Sequence, residues 1–236
     1  MEVLDNLKEK NKRFILMTNA PRPRRNVANF LSKLNFNKDY CQNIFTSGDA
    51  AIKSLRTNSH GKNFFHIGPK RDMDLFFAFK NKRKDKIDSA EFILCTGLFD
   101  DKVNDLGYYK NLLKKYINKK MVCTNPDLIV HRGNKMEYCA GSIAKIFAEM
   151  KGKVIYYGKP YPEIYKECIK DKKKVLVVGD NLNTDIKGAN VMNYDCLFIK
   201  NGIHQAEFKN FSFRNFKKIL DKYKVKIDYY QNHLSW

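Results

Sequence analysis

The sequence predicts an α/β protein whose parallel sheet is interrupted by a second, inserted α/β unit. Three short apolar runs share one design: Phe14-Ile15-Leu16-Met17, Val154-Ile155-Tyr156-Tyr157 and Val175-Leu176-Val177-Val178. Each reads as a buried strand that ends in a polar residue and leads through a loop into a helical pattern, the rhythm of a parallel sheet. The stretch between the first two runs has its own alternation of elements and is too long and regular to be a loop.

The first run ends at Thr18-Asn19, and the helix after it carries Val27, Phe30, Leu31 and Leu34 at i, i+3, i+4 and i+7. The second ends at Gly158-Lys159-Pro160, with Pro162 near the start of a helix that buries Ile164, Tyr165 and Ile169. The third ends at Gly179-Asp180, and Thr184-Asp185 is placed to start a helix. Cys196 to Ile199 predicts a further strand, and Phe213, Phe216, Ile219, Leu220 and Tyr223 mark the face of a terminal helix. Val3 and Leu7 read as the last turns of a helix leading into the first strand.

Within the insertion, strands are expected at Asn63 to Ile67, Phe92 to Cys95, Met121 to Cys123 and Leu128 to Val130. Helices are expected at Tyr108 to Ile117 and at Ala140 to Met150, the latter ended by Gly152. This gives a first core segment over 1–61, an inserted cap over 62–151 and a second core segment over 152–236. Strands of one parallel sheet open at their carboxyl ends onto one crevice, where ligands bind. Thr18, Lys159 and Asp180 are therefore expected to meet.

Composition narrows the class. A hydrophobic fraction of 43% with 13% aromatic residues is that of a folded chain, not a disordered basic tail. No apolar run approaches membrane-spanning length and Met1-Glu2-Val3-Leu4-Asp5 lacks signal-peptide order, so the expected location is the cytoplasm and no membrane partner is foreseen. The six cysteines include no C-x-x-C pair and read as small buried hydrophobes in a reducing compartment. The net charge of +20 would attract polyanions. Its excess is mostly lysine spread along the chain with abundant Asn, Ile, Tyr and Phe, a pattern that A/T-rich codons explain without a partner. Nucleic-acid binding is accordingly the weakest of three readings, and the dense run Lys80 to Lys86 reads as a solvated loop.

The chemistry concentrates in Gly179-Asp180-Asn181-Leu182-Asn183-Thr184-Asp185. Two carboxylates on a strand-end loop make a hard-oxygen site suited to Mg2+, although the same residues also serve as a strand end and a helix cap. Taken singly, Gly158-Lys159-Pro160 and Thr18-Asn19 are weak signals; their shared position at strand ends strengthens them.

That order resembles the haloacid dehalogenase (HAD) superfamily, which implies a Rossmann-like core. Thr18 resembles the motif whose hydroxyl holds the transferring phosphoryl group, and Lys159 the motif whose ammonium neutralises phosphate charge. Asp180, with Asp185 after it, resembles the motif in which the first Asp binds Mg2+ and the second supports the site. Cys123-Thr124-Asn125-Pro126-Asp127 resembles a stretch of class IIA caps, the group of NagD-like and p-nitrophenyl-phosphatase-like enzymes, and Cys139 to Ala144 and Gly202-Ile203-His204 fit the same branch. The resemblance implies a Mg2+-dependent phosphatase of small phosphorylated metabolites, with Thr18 and Lys159 catalytic, Asn19, Asn125 and Asp127 binding substrate, and Asp180 and Asp185 at the metal.

One departure bears on activity. Members of that family carry an apolar strand ending in Asp-x-Asp-Gly, whose first Asp attacks phosphorus, and no such segment occurs in these 236 residues. Asp5 lies too close to the strand beginning near Phe14 to end a parallel neighbour of it. Asp72-Met73-Asp74 lies inside the insertion and lacks the trailing Gly. A truncated chain with little activity is therefore expected, its central strand missing from the core sheet; the alternative is a non-catalytic binder of phosphometabolites or Mg2+.

Overall fold

The structure, a computed structural model, describes residues 1–132, 135–170, 174–209 and 212–236. Two compact units divide the chain, one formed by Leu16–Gly158 and the other by Met1–Ile15 with Lys159–Trp236.

The unit Leu16–Gly158 opens with β1 (Leu16–Thr18) and β2 (Ile44–Thr46), which pair in parallel. Between them lies α1's successor in the chain, helix α2 (Arg24–Ser32), where α1 is Glu2–Glu9 of the other unit. Helix α3 (Ser47–Arg56) follows β2, its first turn capped by Thr46, whose hydroxyl accepts from the Asp49 amide at 2.9 Å. The main sheet contains β3 (Phe64–Ile67), β4 (Arg83–Lys84), β5 (Phe92–Cys95), β6 (Lys120–Cys123) and β9 (Lys153–Tyr156). They run in the order β4-β3-β5-β6-β9, all parallel. Parallel strands covered on both faces are apolar throughout, which is why Phe92-Ile93-Leu94-Cys95 shows no alternation and is buried at every position. Helices α5 (Leu106–Leu113) and α6 (Ala140–Glu149) contribute Tyr109, Leu113, Ile143 and Phe147 to one core, while Ala50, Leu55, Phe76 and Phe79 belong to a second core with Phe64, Phe92 and Val122.

The other unit holds a parallel three-stranded sheet, β10 (Leu176–Gly179), β11 (Asp195–Ile199) and β12 (Tyr229–Gln231), in that order. Helices α7 (Pro162–Cys168), α8 (Lys187–Met192) and α9 (Phe213–Tyr223) accompany it. Its core gathers Leu182, Ile186, Cys196, Phe198 and Phe208. The side chain of Phe213, expected on the apolar face of α9, lies outside the described residues; Phe216, Ile219, Leu220 and Tyr223 pack against that core as expected.

The architecture is the mixed α/β fold with mainly parallel sheets that the sequence predicts, with four differences. The run at Val154 does not share a sheet with those at Leu16 and Leu176. It forms β9 and pairs with β6, so the three expected neighbours stand in three sheets. A four-residue apolar run carries no information on which sheet takes it. Near Leu128 the strand is β7 (Ile129–Arg132), paired antiparallel with β8 (Lys135–Tyr138) as a separate ribbon. The helix expected to begin at Thr184 is preceded by a π turn over Leu182–Ile186, with Asn181 as the capping side chain. Finally, α2 ends at Ser32, and Phe30 and Leu34 are 60% and 63% exposed, so periodicity located the apolar stripe but not a cover for it.

Among the described residues no helix is long and apolar enough to cross a membrane. All six cysteines are free thiols, four of them buried.

Candidate active site

The strand β10 delivers Gly179-Asp180 to its carboxyl end, and the chain then turns through Asn181 into the π turn. Asn181 closes this turn on itself by accepting from the Asn183 amide at 2.9 Å. Asp185, 6% exposed, points back into the turn. Its Oδ2 accepts from the Asn181 amide at 3.2 Å and its Oδ1 from the Lys159 ammonium at 2.6 Å. Both side chains of this pair are largely withdrawn from water, where a charged group is stable only with its partner in place. Gly179 permits the arrangement, because a Cβ there would stand 2.3 Å from Asp185 Cβ.

Asp180 is held differently. Its Oδ2 accepts from the Ile203 amide at 3.0 Å, and a Cβ on Gly202 would lie 2.2 Å from that oxygen. Its other oxygen has no protein partner among the described residues. The loop that makes this contact is fixed by a cluster around Glu207, which accepts from Tyr223 Oη at 2.6 Å and Lys222 Nζ at 2.7 Å and meets His204 Nδ1 at 2.8 Å. Glu207 was not among the sequence candidates, although its i, i+3 spacing from His204 was a usable signal.

Thr18, Asn19, Asn125 and Asp127 belong to the other unit. Thr18 ends β1, and its Oγ1 accepts from the Ala20 amide at 3.2 Å. Asn19 is buried, and its Nδ2 donates to Asp127 Oδ1 at 3.0 Å. Asp127 in turn donates its amide to Asn125 Oδ1 at 3.0 Å. Gly141 at the start of α6 lets this loop approach, since a Cβ there would meet Pro126 O at 2.2 Å. The structure thus brings together Lys159 with Asp185 and, separately, Asn19 with Asp127 and Asn125.

A Mg2+ ion keeps several waters and takes one or two carboxylates plus substrate oxygens. Asp180, with one oxygen unclaimed at a strand end, fits that requirement. Asp185 does not offer a ready ligand atom, since both of its oxygens are engaged. Among the described residues no three His, Cys, Asp or Glu side chains converge into a complete protein cage.

Comparison with known proteins bears on this arrangement. The family described as haloacid dehalogenase-like hydrolase matches residues 1–79, and the one described as HAD-hydrolase-like matches residues 156–225. The chain belongs to the haloacid dehalogenase superfamily. A crystal structure of a haloacid dehalogenase-like family hydrolase from Brucella suis 1330 is 27% identical, with a TM-score of 0.77 over 98% of this chain and 87% of that one. A p-nitrophenyl phosphatase from Archaeoglobus fulgidus has the same fold at 20% identity, with a TM-score of 0.73 over 97% of this chain and 86% of that one. This superfamily member thus has the fold of the class IIA group to which its motifs pointed. A curated relative, the dihydroxyacetone phosphatase of Corynebacterium glutamicum (strain R), is 26% identical over 101 residues. That match spans 40% of this chain and 37% of the relative.

Proposed function

We propose that this chain binds small phosphorylated molecules together with Mg2+ in the manner of class IIA haloacid dehalogenase phosphatases, and that these 236 residues alone turn phosphate esters over poorly. The observation that carries the reading is the Lys159–Asp185 pair at 2.6 Å, on the loop whose Asp180 keeps one oxygen unclaimed. An ammonium and a hard carboxylate oxygen at one strand end suit a phosphate and a metal together.

The contacts support the following roles. Asp180 holds the ion, and Asp185 aligns Lys159 so that the ammonium faces phosphoryl oxygens. Within the unit Leu16–Gly158, Thr18 offers a hydroxyl and Asn19 an amide for phosphoryl oxygens, and Asp127 with Asn125 fixes the Asn19 rotamer and borders the substrate. When bound, Mg2+ supplies charge neutralisation of the phosphoryl oxygens. In this reading the five-stranded sheet of β3 to β9 serves as the cap, which carries the second cap boundary from residue 151 past Tyr156. The protein acts in the cytoplasm, in keeping with its six free thiols.

Positioning and charge neutralisation are the part of phosphoryl transfer these residues can perform. Covalent catalysis needs an attacking carboxylate, and no apolar strand ending in Asp-x-Asp-Gly occurs in the 236 residues. With p-nitrophenyl phosphate and Mg2+, the expected result is calorimetric binding with little release of nitrophenol, and Asp180→Asn abolishes the binding. A silent titration with folded protein, or binding that persists in Asp180→Asn, would overturn the reading.

A further inference from the structure

A cavity of about 230 Å³ opens in the unit Leu16–Gly158, on one side of its main sheet, and none of the residues assigned above lines it. Its walls are the rings of Phe64, Phe76 and Phe77, with His66, Lys80 and Arg83 at the polar positions. Arg83 reaches it because β4 pairs in register with β3, Arg83 opposite Phe64.

The guanidinium of Arg83 is poorly satisfied. Its Nη1 donates to Met73 Sδ at 3.3 Å, a weak acceptor, and its Nε is buried with no partner among the described residues. An arginine cannot shed its charge, and a buried donor left unpaired costs stability. Lys82, on the same chain segment, is by contrast bonded to Leu55 O at 2.9 Å and Asn58 Oδ1 at 2.7 Å. Lys80 lies 4.9 Å from the Phe77 ring centroid. His66 adds no charge, since burial and the nearby Arg83 hold its pKa down at about 4. Among the described residues the cavity therefore presents three aromatic walls and two cations, neither paired with a carboxylate.

Size fixes the scale of a ligand. An apolar cavity of about 150 Å³ accommodates benzene, so this one holds a single ring with one small substituent. We propose that the cavity is a binding site for a monocyclic aromatic carboxylate, the ring against Phe64, Phe76 and Phe77 and the carboxylate on the Arg83 guanidinium with Lys80 beside it. Such a pairing meets the unpaired Nε with an ionised acceptor, the stronger kind of hydrogen bond.

The test uses the full chain and para-fluorobenzoate, followed by fluorine NMR, with para-fluorobenzyl alcohol as the neutral match. Saturable binding of the acid is expected, with the alcohol weaker by about tenfold or more. Arg83→Met should weaken the acid by a similar factor. Phe77→Ala should weaken it as well, and because Phe77 is 64% exposed this variant keeps the fold if Arg83→Met does not. Asp180→Asn should leave the affinity unchanged, which separates this site from the proposed phosphate site. Absence of saturation up to about 10 mM, equal affinity for acid and alcohol, or loss of binding in Asp180→Asn would each overturn the proposal.

Discussion

Glu207 governs the loop behind Asp180 through three hydrogen bonds, and its titration makes that control measurable. Burial alone would push its carboxyl up, but the bonds from Lys222, Tyr223 and His204 outweigh that and bring it from the ordinary 4.5 to about 2. A carboxyl depressed on folding stabilises the native state above its unfolded value, and that contribution is lost as pH falls from about 4.5 towards 2. The group is partly exposed, so solvent screens much of the effect. Glu207→Gln should therefore lower the thermal midpoint at neutral pH and flatten its fall between pH 5 and 3, as followed by circular dichroism. A wild-type acid limb retained unchanged in the variant would show that the cluster has no such role. The sequence pointed to Gly202-Ile203-His204 only as a family pattern. What it could not supply was the return of Tyr223 and Lys222 from α9, a contact between segments well apart in the chain.

At the scale of elements, periodicity and strand-end chemistry were legible and partnership was not. The strands β3, β5 and β6 and helix α6 fall where apolar runs and the closing Gly152 put them. The assignment of β9 to the main sheet was hidden because neighbour choice depends on packing around the strand. The strand expected at Leu128 to Val130 is found as β7, while its partner β8 and the short β12 were missed for want of length. The basic run Lys80 to Lys86 read as solvated loop, yet Arg83-Lys84 form β4 and one arginine nitrogen is buried. Amphipathic helices show the same limit. Phe147 in α6 is fully buried, and Gly152 approaches so closely that a Cβ there would stand 2.4 Å from the Phe147 ring. Phe30 in α2 occupies an equally apolar stripe and is 60% exposed. In urea titrations Phe147→Ala is expected to cost about 3–5 kcal/mol. Phe30→Ala should stay within about 0.5 kcal/mol. Comparable losses from both would mean that α2 is covered.

For the molecule as a whole, the site chemistry and the sheet edges lead to the same experiment. Among the described residues β1 pairs only with β2, and β10 pairs on one side only, with β11. On β10, Leu176 and Val178 are 52% and 42% exposed, unusual for a strand whose composition is that of a buried one. Unpaired backbone on an apolar strand is a site for another strand to add. Helix α1 lies just ahead of β1 in the chain and would serve as the crossover that a parallel neighbour requires. Fusing an apolar strand that ends in Asp-x-Asp-Gly ahead of Met1 should therefore supply both backbone pairing and the attacking carboxylate. The expected outcome is Mg2+-dependent release of nitrophenol from p-nitrophenyl phosphate well above that of the unfused chain, lost when the first Asp of the added motif becomes Asn. The same fusion should raise the thermal midpoint, and that gain should persist in the Asn variant, because pairing depends on the backbone and turnover on the carboxylate. If the unfused chain already shows equal turnover, the nucleophile is within the 236 residues and the roles given to Thr18, Lys159 and Asp180 need a different partner.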